Sequence, residues 1–278
     1  MGKSGAIWRM GLCAGMFIFL YACNRPVPKE ERATNPPTDQ MRSLDPVDLY
    51  NGLLRKHINR TGDIHYRGFQ VDSAKLNTYF DYLESITPGD SAWSRADSMA
   101  FFINAFNAAT IHLIIQYYPI PSITEIGKEP HGAENTNWIK DVSPETTTPF
   151  DLPVIRIGGR NRSLNEIRNQ LREFDDPRIH FALVNGTHGA PKLARSSYAG
   201  PVLNEQLEEA VRYFFQLPYK NRLSPSKPEL APLMRDFAAD FQTDSTVILD
   251  FVNRYSRVQL NPAATPTFLP YDWRLNGY

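Results

Sequence analysis

Hydrophobic side chains are most continuous between Ser94 and Pro119. Within this stretch, large apolar residues fall in every direction of a helical wheel: Met99, Phe101, Phe102, Ile103, Phe106, Ile111, Leu113, Ile114, Ile115, Tyr117 and Tyr118. Ser94 followed three residues later by Asp97 is typical of a helix start, and Pro119 is typical of a stop. A helix that is apolar all round has no solvent face, so the pattern predicts a helix through the centre of a domain.

Two asparagines interrupt this apolar helix. Asn104 and Asn107 are three residues apart and therefore share a face. A buried amide without partners costs about 1–3 kcal/mol, so both side chains must be hydrogen-bonded. Two alternatives are open: the pair holds the backbone of a neighbouring loop, or it contributes to a functional site.

Shorter patterns on both sides predict further helices and a few strands. Leu44-Asp45-Pro46 is a good helix start, and Ser163 with Glu166 forms a second capping box. The predicted elements are helices after Asp45 and Asp72, a strand over 152–157 turned at Gly158-Gly159, a helix over 164–172, a strand over 178–184, and helices over 203–215, 230–241 and 247–255. A long polar stretch, 121–149, follows the central helix and predicts a loop. We therefore expect one α+β domain over 44–278, mainly helical around a buried central helix, with a small β-sheet.

The N-terminus predicts export and lipid anchoring. Lys3 and Arg9 precede a short apolar run that ends Leu20-Tyr21-Ala22-Cys23, which resembles the lipobox of bacterial lipoproteins. We expect residues 1–23 to be a lipoprotein signal peptide with Cys23 as the lipidated residue, and the Pro-rich, charged segment 24–43 to be a tether. Ordinary secretion and an uncleaved anchor are the alternatives. The expected location is the cell envelope, at the inner or outer membrane, facing the periplasm or the surface.

Charge and cysteine content exclude several functions. The formal net charge is zero, which argues against nucleic acid as a partner. Cys13 and Cys23 are the two cysteines, and both lie in the targeting segment, so the mature domain has no disulfide, thiolate metal site or cysteine nucleophile. Known cofactor motifs are absent from the sequence. We expect no cofactor, a membrane contact through the lipid, and an unidentified ligand or protein partner.

His180 is the best candidate for acid/base chemistry. It lies in the predicted strand RIHFALV, where alternation would place it on one face with Ala182 and Val184. The turn after this strand offers Asn185, Thr187 and His188. A histidine with polar groups at the end of its strand suits a general base, and a core histidine that donates to a backbone carbonyl is the alternative.

Several separated segments resemble one known family. The segments AFFINAFNAATI, DPRIHFALVNGTHGAPKLARSSY, LNEQLEEAVRYFF and LPYDWRLN follow in order. They resemble the domain-of-unknown-function 547 family, whose typical segments are AFWINLYNALTI, SLDDIEH, RIHFALVCASxSCP and YDWSLN. The resemblance spans about 44–276. It implies a mainly bacterial, often exported domain of unsettled activity, with a core similar to cysteine proteases or transglutaminases, in which a buried helix faces a sheet carrying the histidine.

The chain departs from this family at polar positions. Asn185 stands where the family often has cysteine, 189–191 reads Gly-Ala-Pro instead of Ser-Cys-Pro, and 167–169 reads Ile-Arg-Asn instead of Ile-Glu-His. His180, Asn104 and Asn107 match the family. If the family's site uses a thiolate or the Glu-His pair, this chain does not perform the same chemistry.

Three hypotheses of function follow. The first is a lipid-anchored envelope protein with a binding or degenerate, non-catalytic domain. The second is a cysteine-independent hydrolase or transferase with His180 as acid/base, in which Asn104, Asn107 or Asn185 orients groups or stabilises an oxyanion, beside His188 and a hydroxyl such as Thr187 or Ser196. The third is a metal site of His180, His188 and a carboxylate.

Overall fold

A computed structural model describes residues 45–88, 92–127, 148–241 and 245–278. The predicted signal peptide 1–23, with Cys23, and the tether 24–43 lie outside these residues, as does most of the polar stretch predicted over 121–149.

The described chain is mainly helical and carries small β-sheets, which confirms the predicted α+β class. Its helices are α1 (Pro46–His57), α2 (Tyr66–Val71), α3 (Ser73–Ser85), α4 (Arg95–Tyr117), α5 (Leu164–Arg172), α6 (Ile179–Ala182), α7 (Leu203–Phe215), α8 (Leu233–Asp236) and α9 (Ser245–Tyr255). Strands β1 (Pro153–Ile157) and β2 (Arg160–Ser163) form an antiparallel hairpin, and β3 (Glu229–Leu230) pairs in parallel with β4 (Thr267–Phe268). Short 3₁₀ turns lie at Ile123–Glu125, Pro149–Asp151, Gly200–Val202 and Ala238–Phe241.

The central helix α4 forms as the hydrophobic pattern predicts. The Ser94 hydroxyl accepts a hydrogen bond from the Asp97 amide, and the Asp97 carboxylate accepts one from the Ser94 amide, both at 3.1 Å. Most of the side chains of α4 are buried in the larger of two hydrophobic clusters. Length and composition would also suit a membrane span, but 83% of its most apolar window is buried inside the protein, so α4 is the core helix of this domain.

The β1–β2 hairpin is fixed to the end of α3. Gly158 and Gly159 turn it with positive φ angles of 54° and 73°, a conformation that glycine adopts without strain. Their amides donate to the carbonyls of Leu83 and Glu84 at 3.4 and 3.2 Å. At the other end, Ser163 closes β2 and caps α5 through the predicted capping box with Glu166. The hairpin therefore has a defined position beside α3 and α5.

The predicted strand over 178–184 is wrong. Residues Ile179–Ala182 form the short helix α6, whose four side chains are all buried. Asp176 starts it, because its carboxylate accepts from the Arg178 amide at 3.0 Å and its carbonyl accepts from the Ile179 amide at 3.1 Å. A short apolar run buried on all sides does not separate helix from strand by periodicity. His180 is therefore on a helix, and the sheet expected to carry the histidine does not form there.

The predicted helix over 230–241 is also wrong over part of its length. Leu230 pairs with Phe268 in the β3–β4 sheet, α8 covers only Leu233–Asp236, and the chain turns at Phe237 into the 3₁₀ segment Ala238–Phe241. This turn places Asp240 beside α6, which decides the surroundings of His180.

Candidate functional site

Asn104 and Asn107 hold two segments of backbone against the central helix. The Asn104 amide donates to the Tyr198 carbonyl and accepts from the Tyr198 amide, both at 2.8 Å. The Asn107 amide donates to the Ala182 carbonyl and accepts from the Val184 amide, both at 2.9 Å. This confirms the first alternative for the pair, a clamp on neighbouring backbone. The amide nitrogen and the amide oxygen of each side chain both take part in that contact.

His180 is enclosed and paired with a carboxylate. Its residue is 3% exposed, its Nε2 lies 2.7 Å from Asp240 Oδ2, and its ring stacks on Phe237 with centroids 4.0 Å apart. Burial lowers the pKa of His180 to about 4, although the Asp240 carboxylate acts in the opposite direction. The ring is therefore neutral at pH 7, and its Nε2–H donates to Asp240.

Asp240 is itself held by an arginine. Arg172 at the end of α5 donates Nε and Nη2 to the two carboxylate oxygens at 2.7 and 2.6 Å. Burial would raise the pKa of Asp240, but the hydrogen bonds from Arg172 and His180 hold that pKa below its ordinary value. The hydrogen bonds from Arg172 to Asp240 and from His180 to Asp240 therefore fix the imidazole and connect α6 to the end of α5. The described structure contains no hydrogen bond from His180 to Asn104 or Asn107.

Asn185 belongs to a different hydrogen-bonded set. Its amide donates to the Tyr271 hydroxyl at 2.7 Å, and its oxygen accepts from the Thr187 hydroxyl at 2.7 Å. The hydroxyls of Thr187 and Tyr271 also lie 2.7 Å apart. Burial raises the pKa of Tyr271. The side chains of Asn185, Thr187 and Tyr271 thus hydrogen-bond to one another. The sequence did not predict that Tyr271 belongs to this set.

His188 has other partners than this set. Its backbone amide donates to the Arg274 carbonyl at 2.8 Å, and its backbone carbonyl accepts from the buried amine of Lys220, which also donates to Ala190. Burial lowers the pKa of His188, and the carboxylates of Asp272 and Asp63 act against this. The structure thus brings Asn185 and Thr187 together but places His180 and His188 in separate surroundings.

Arg168 lies between the His180 and Tyr271 sets. Its guanidinium carbon is 5.3, 5.5 and 5.7 Å from the ring centroids of Phe106, Phe150 and Phe237. Burial lowers the pKa of Arg168 to about 10, and its positive charge in turn lowers the pKa of Tyr271. Phe237 is the ring that stacks on His180. Two of the residues that depart from the family segments, Arg168 and Asn185, therefore both border Tyr271.

A groove of about 630 Å³ opens elsewhere, between the start of α4, the hairpin and the end of α5. We call it the arginine groove. Its charged residues are Arg95, Arg160 and Arg162, and its other lining residues are Thr87, Pro88, Trp93, Ser98, Phe102, Ile157, Gly158, Gln170 and Phe174. The hydrophobic pattern of the sequence did not predict this groove. The signal present was the pair Arg160 and Arg162, two residues apart on a strand and hence on one face.

A second groove, of about 480 Å³, has charges of both signs. Arg178 in its wall donates to Asp176 at 2.7 Å and to Glu208 at 3.2 Å, so that charge is neutralised within the wall. Among the residues that the structure describes, no three His, Cys, Asp or Glu side chains are grouped so that they could hold a metal ion. The hypothesis of a metal site at His180 and His188 is therefore unsupported.

Fold and site together define a mainly helical α+β domain built around a buried, amide-bearing helix. Residues 91–215 match the family model described as "Protein of unknown function, DUF547". This match supports the domain family over the stretch that contains Asn104, Asn107, His180, Asn185 and His188. No curated protein and no solved structure matches the chain.

Proposed function

We propose that this chain is a lipid-anchored protein of the cell envelope whose folded domain binds a ligand and performs no catalysis at His180. The observation that supports the non-catalytic part of this proposal is the enclosure of His180. The ring is 3% exposed, one face is covered by Phe237, and Nε2 is bonded to Asp240.

A general base needs to reach the proton that it removes, directly or through one water. The groups expected to assist His180 are also engaged. Asn104 and Asn107 bind backbone, and the buried Thr187 hydroxyl binds Asn185 and Tyr271. Ser196, the other hydroxyl considered, is exposed. These contacts favour a structural role for the whole group.

The proposed anchor rests on the sequence. Leu20-Tyr21-Ala22-Cys23 ends a short apolar run behind Lys3 and Arg9, as in bacterial lipoproteins. Several acyl chains on one cysteine give stable anchoring. The segment 24–43 then tethers the domain to the membrane.

One observation favours the alternative, a hydrolase or transferase with His180 as acid/base. Asp240 contacts the imidazole as the carboxylate of a catalytic triad does, by fixing the ring and its tautomer. This alternative makes a distinct prediction, which is turnover that depends on His180.

The test of catalysis compares the wild-type chain, His180→Gln and the control His112→Gln on an activated ester and an amide substrate. We expect any slow hydrolysis to be equal in all three proteins, measured after each has been shown to unfold cooperatively. Turnover that is lost in His180→Gln and kept in His112→Gln would establish the enzyme instead.

The test of anchoring uses the two cysteines as a matched pair. Cys23→Ala is expected to release the protein from the membrane fraction, because the acylated residue is lost, while Cys13→Ala leaves it bound. If Cys23→Ala also stays with the membrane, the N-terminal run is an uncleaved anchor.

A further inference from the structure

The arginine groove concentrates positive charge, and none of the described residues that line it is acidic. Arg160 and Arg162 project from one face of β2, and Arg95 lies at the start of α4 across the groove. Like charges held near one another repel, and an anion between them removes that repulsion.

The arginines on the two faces of the hairpin differ in whether they are paired. Arg156 pairs with Glu84 at 2.6 Å. The side chains of Arg160 and Arg162 make no hydrogen bond or ion pair with any residue of the described ranges, so their guanidinium donors are available. Arg95 donates to the Phe174 carbonyl and lies 5.0 Å from the centre of the Phe174 ring, which fixes its position at the edge of the groove.

Beneath the arginines, the groove presents flat apolar surface. Trp93, Phe102 and Phe174 are partly buried aromatic residues, and Ile157 of β1 adds an aliphatic contact. A volume of about 630 Å³ is within the range of small-molecule sites, which are mostly apolar with a few placed polar groups. The 480 Å³ groove lacks this character, because Arg178 there is already paired with Asp176 and Glu208.

We propose that the arginine groove binds a small organic anion: an acidic group such as a carboxylate, sulfonate or phosphate on a flat apolar body. The acidic group is bound by Arg160 and Arg162, whose guanidinium forks suit such oxygen pairs. The body lies against Trp93 and Phe102. This inference rests on the proposed function, since it names the ligand class of the binding domain.

The test is calorimetric titration of the full chain in non-ionic micelles with 1-naphthalenesulfonate, with micelles alone as baseline. The neutral 1-naphthalenesulfonamide has the same ring without the charge. We expect the sulfonate to bind, the sulfonamide to bind at least about tenfold more weakly, and the sulfonate affinity to fall as salt is raised.

The double variant Arg160→Gln/Arg162→Gln is expected to weaken sulfonate binding at least about tenfold, because both charge-assisted contacts are lost. Arg60→Gln, which removes an exposed arginine outside the groove, is the matched control and should bind as wild type does. Arg160 is exposed and Arg162 is half-buried. Because neither side chain has a described partner, thermal unfolding of the double variant should match that of wild type and show that the fold is kept.

Absence of sulfonate binding, or equal binding by the wild type and the double variant, would overturn the proposal. Retention by phosphatidylglycerol vesicles that depends on Arg160 and Arg162, without sulfonate binding, would overturn it in favour of a lipid surface. The proposed non-catalytic function would be refuted by a different result, namely turnover that depends on His180. Failure of the ligand proposal and failure of the proposed function can therefore be told apart.

Discussion

Replacing Asn107 with leucine tests the clamp on the central helix. Asn107 is 2% exposed, and its side chain bonds the Ala182 carbonyl and the Val184 amide at 2.9 Å each. Leucine has a similar volume but offers neither bond, so a buried acceptor and a buried donor would both lose their partner.

The magnitude follows from these two groups. Each buried polar group left unpaired costs about 1–3 kcal/mol. Burial of the leucine side chain returns part of this, about 1.5–3 kcal/mol at most. The two groups together cost about 2–6 kcal/mol, so the expected net loss in the free energy of unfolding centres on about 2 kcal/mol, and Asn104→Leu should lose more than about 1 kcal/mol for the same reason.

The assay is urea unfolding followed by circular dichroism, and the control is Thr110→Val. Thr110 is fully buried on the same helix, but its hydroxyl bonds only the Phe106 carbonyl within that helix. The control should therefore change stability by less than about 1 kcal/mol. If the midpoints of Asn107→Leu and Thr110→Val coincide at equal slope, the clamp contributes no stability and the argument is refuted.

Three further predictions concern pH, a buried charge and a loop. The pKa of His180 is about 4 in the folded protein and near 6.5 in the unfolded chain. As the pH falls from 6.5 to 4, the free energy of unfolding should therefore decrease by up to about 1.4 kcal/mol per pH unit. Urea midpoints across this range should fall less steeply for His180→Gln, and equal pH dependence of the two proteins would contradict the lowered pKa. Arg168→Glu should destabilise the fold by at least about 2 kcal/mol, because it replaces a cation packed on three aromatic rings by an anion. Arg168→Met should change the urea midpoint little. Equal urea midpoints for the two variants would refute this prediction. Gly186→Ala should cost at least about 2 kcal/mol, because φ is +76° and the new methyl would lie 2.2 Å from a methyl of Ile114. Gly159→Ala, at φ +73° but with open space around it, should cost less. Thermal unfolding of both variants measures the difference, and an equal loss would show that φ alone is responsible.

The parts of the fold that depend on local sequence were predictable. Ser94 and Ser163 begin their helices as the capping boxes indicate, and Gly158-Gly159 turns the hairpin. The need for partners at Asn104 and Asn107 also followed from the cost of a buried amide. In each case, neighbouring residues along the chain carried the information.

Contacts between distant residues were not predictable in the same way. His180 was expected on a strand, because four consecutive buried residues have no polar side to set a period. Its partner Asp240 lies 60 residues away, behind a turn at Phe237 that the apolar pattern did not indicate. The arginine groove combines α4, a hairpin and α5, and only their packing shows that Arg95, Arg160 and Arg162 line one cavity.

The two asparagines of α4 fix the course of the segment that follows α6 through its backbone. Asn107 fixes the backbone where this segment begins, at 182–184, and Asn104 fixes it again at Tyr198, one turn of the helix away. Both attachments use main-chain atoms of the segment, so they are independent of the side chains between them. Exposed positions of this loop, such as Arg195 and Ser196, can therefore change while the same stretch of chain stays in place, whereas Gly186 cannot, because its φ is +76° and a methyl there would meet Ile114. The core helix therefore specifies where this loop lies, independently of the side chains that the loop carries between its two attachments.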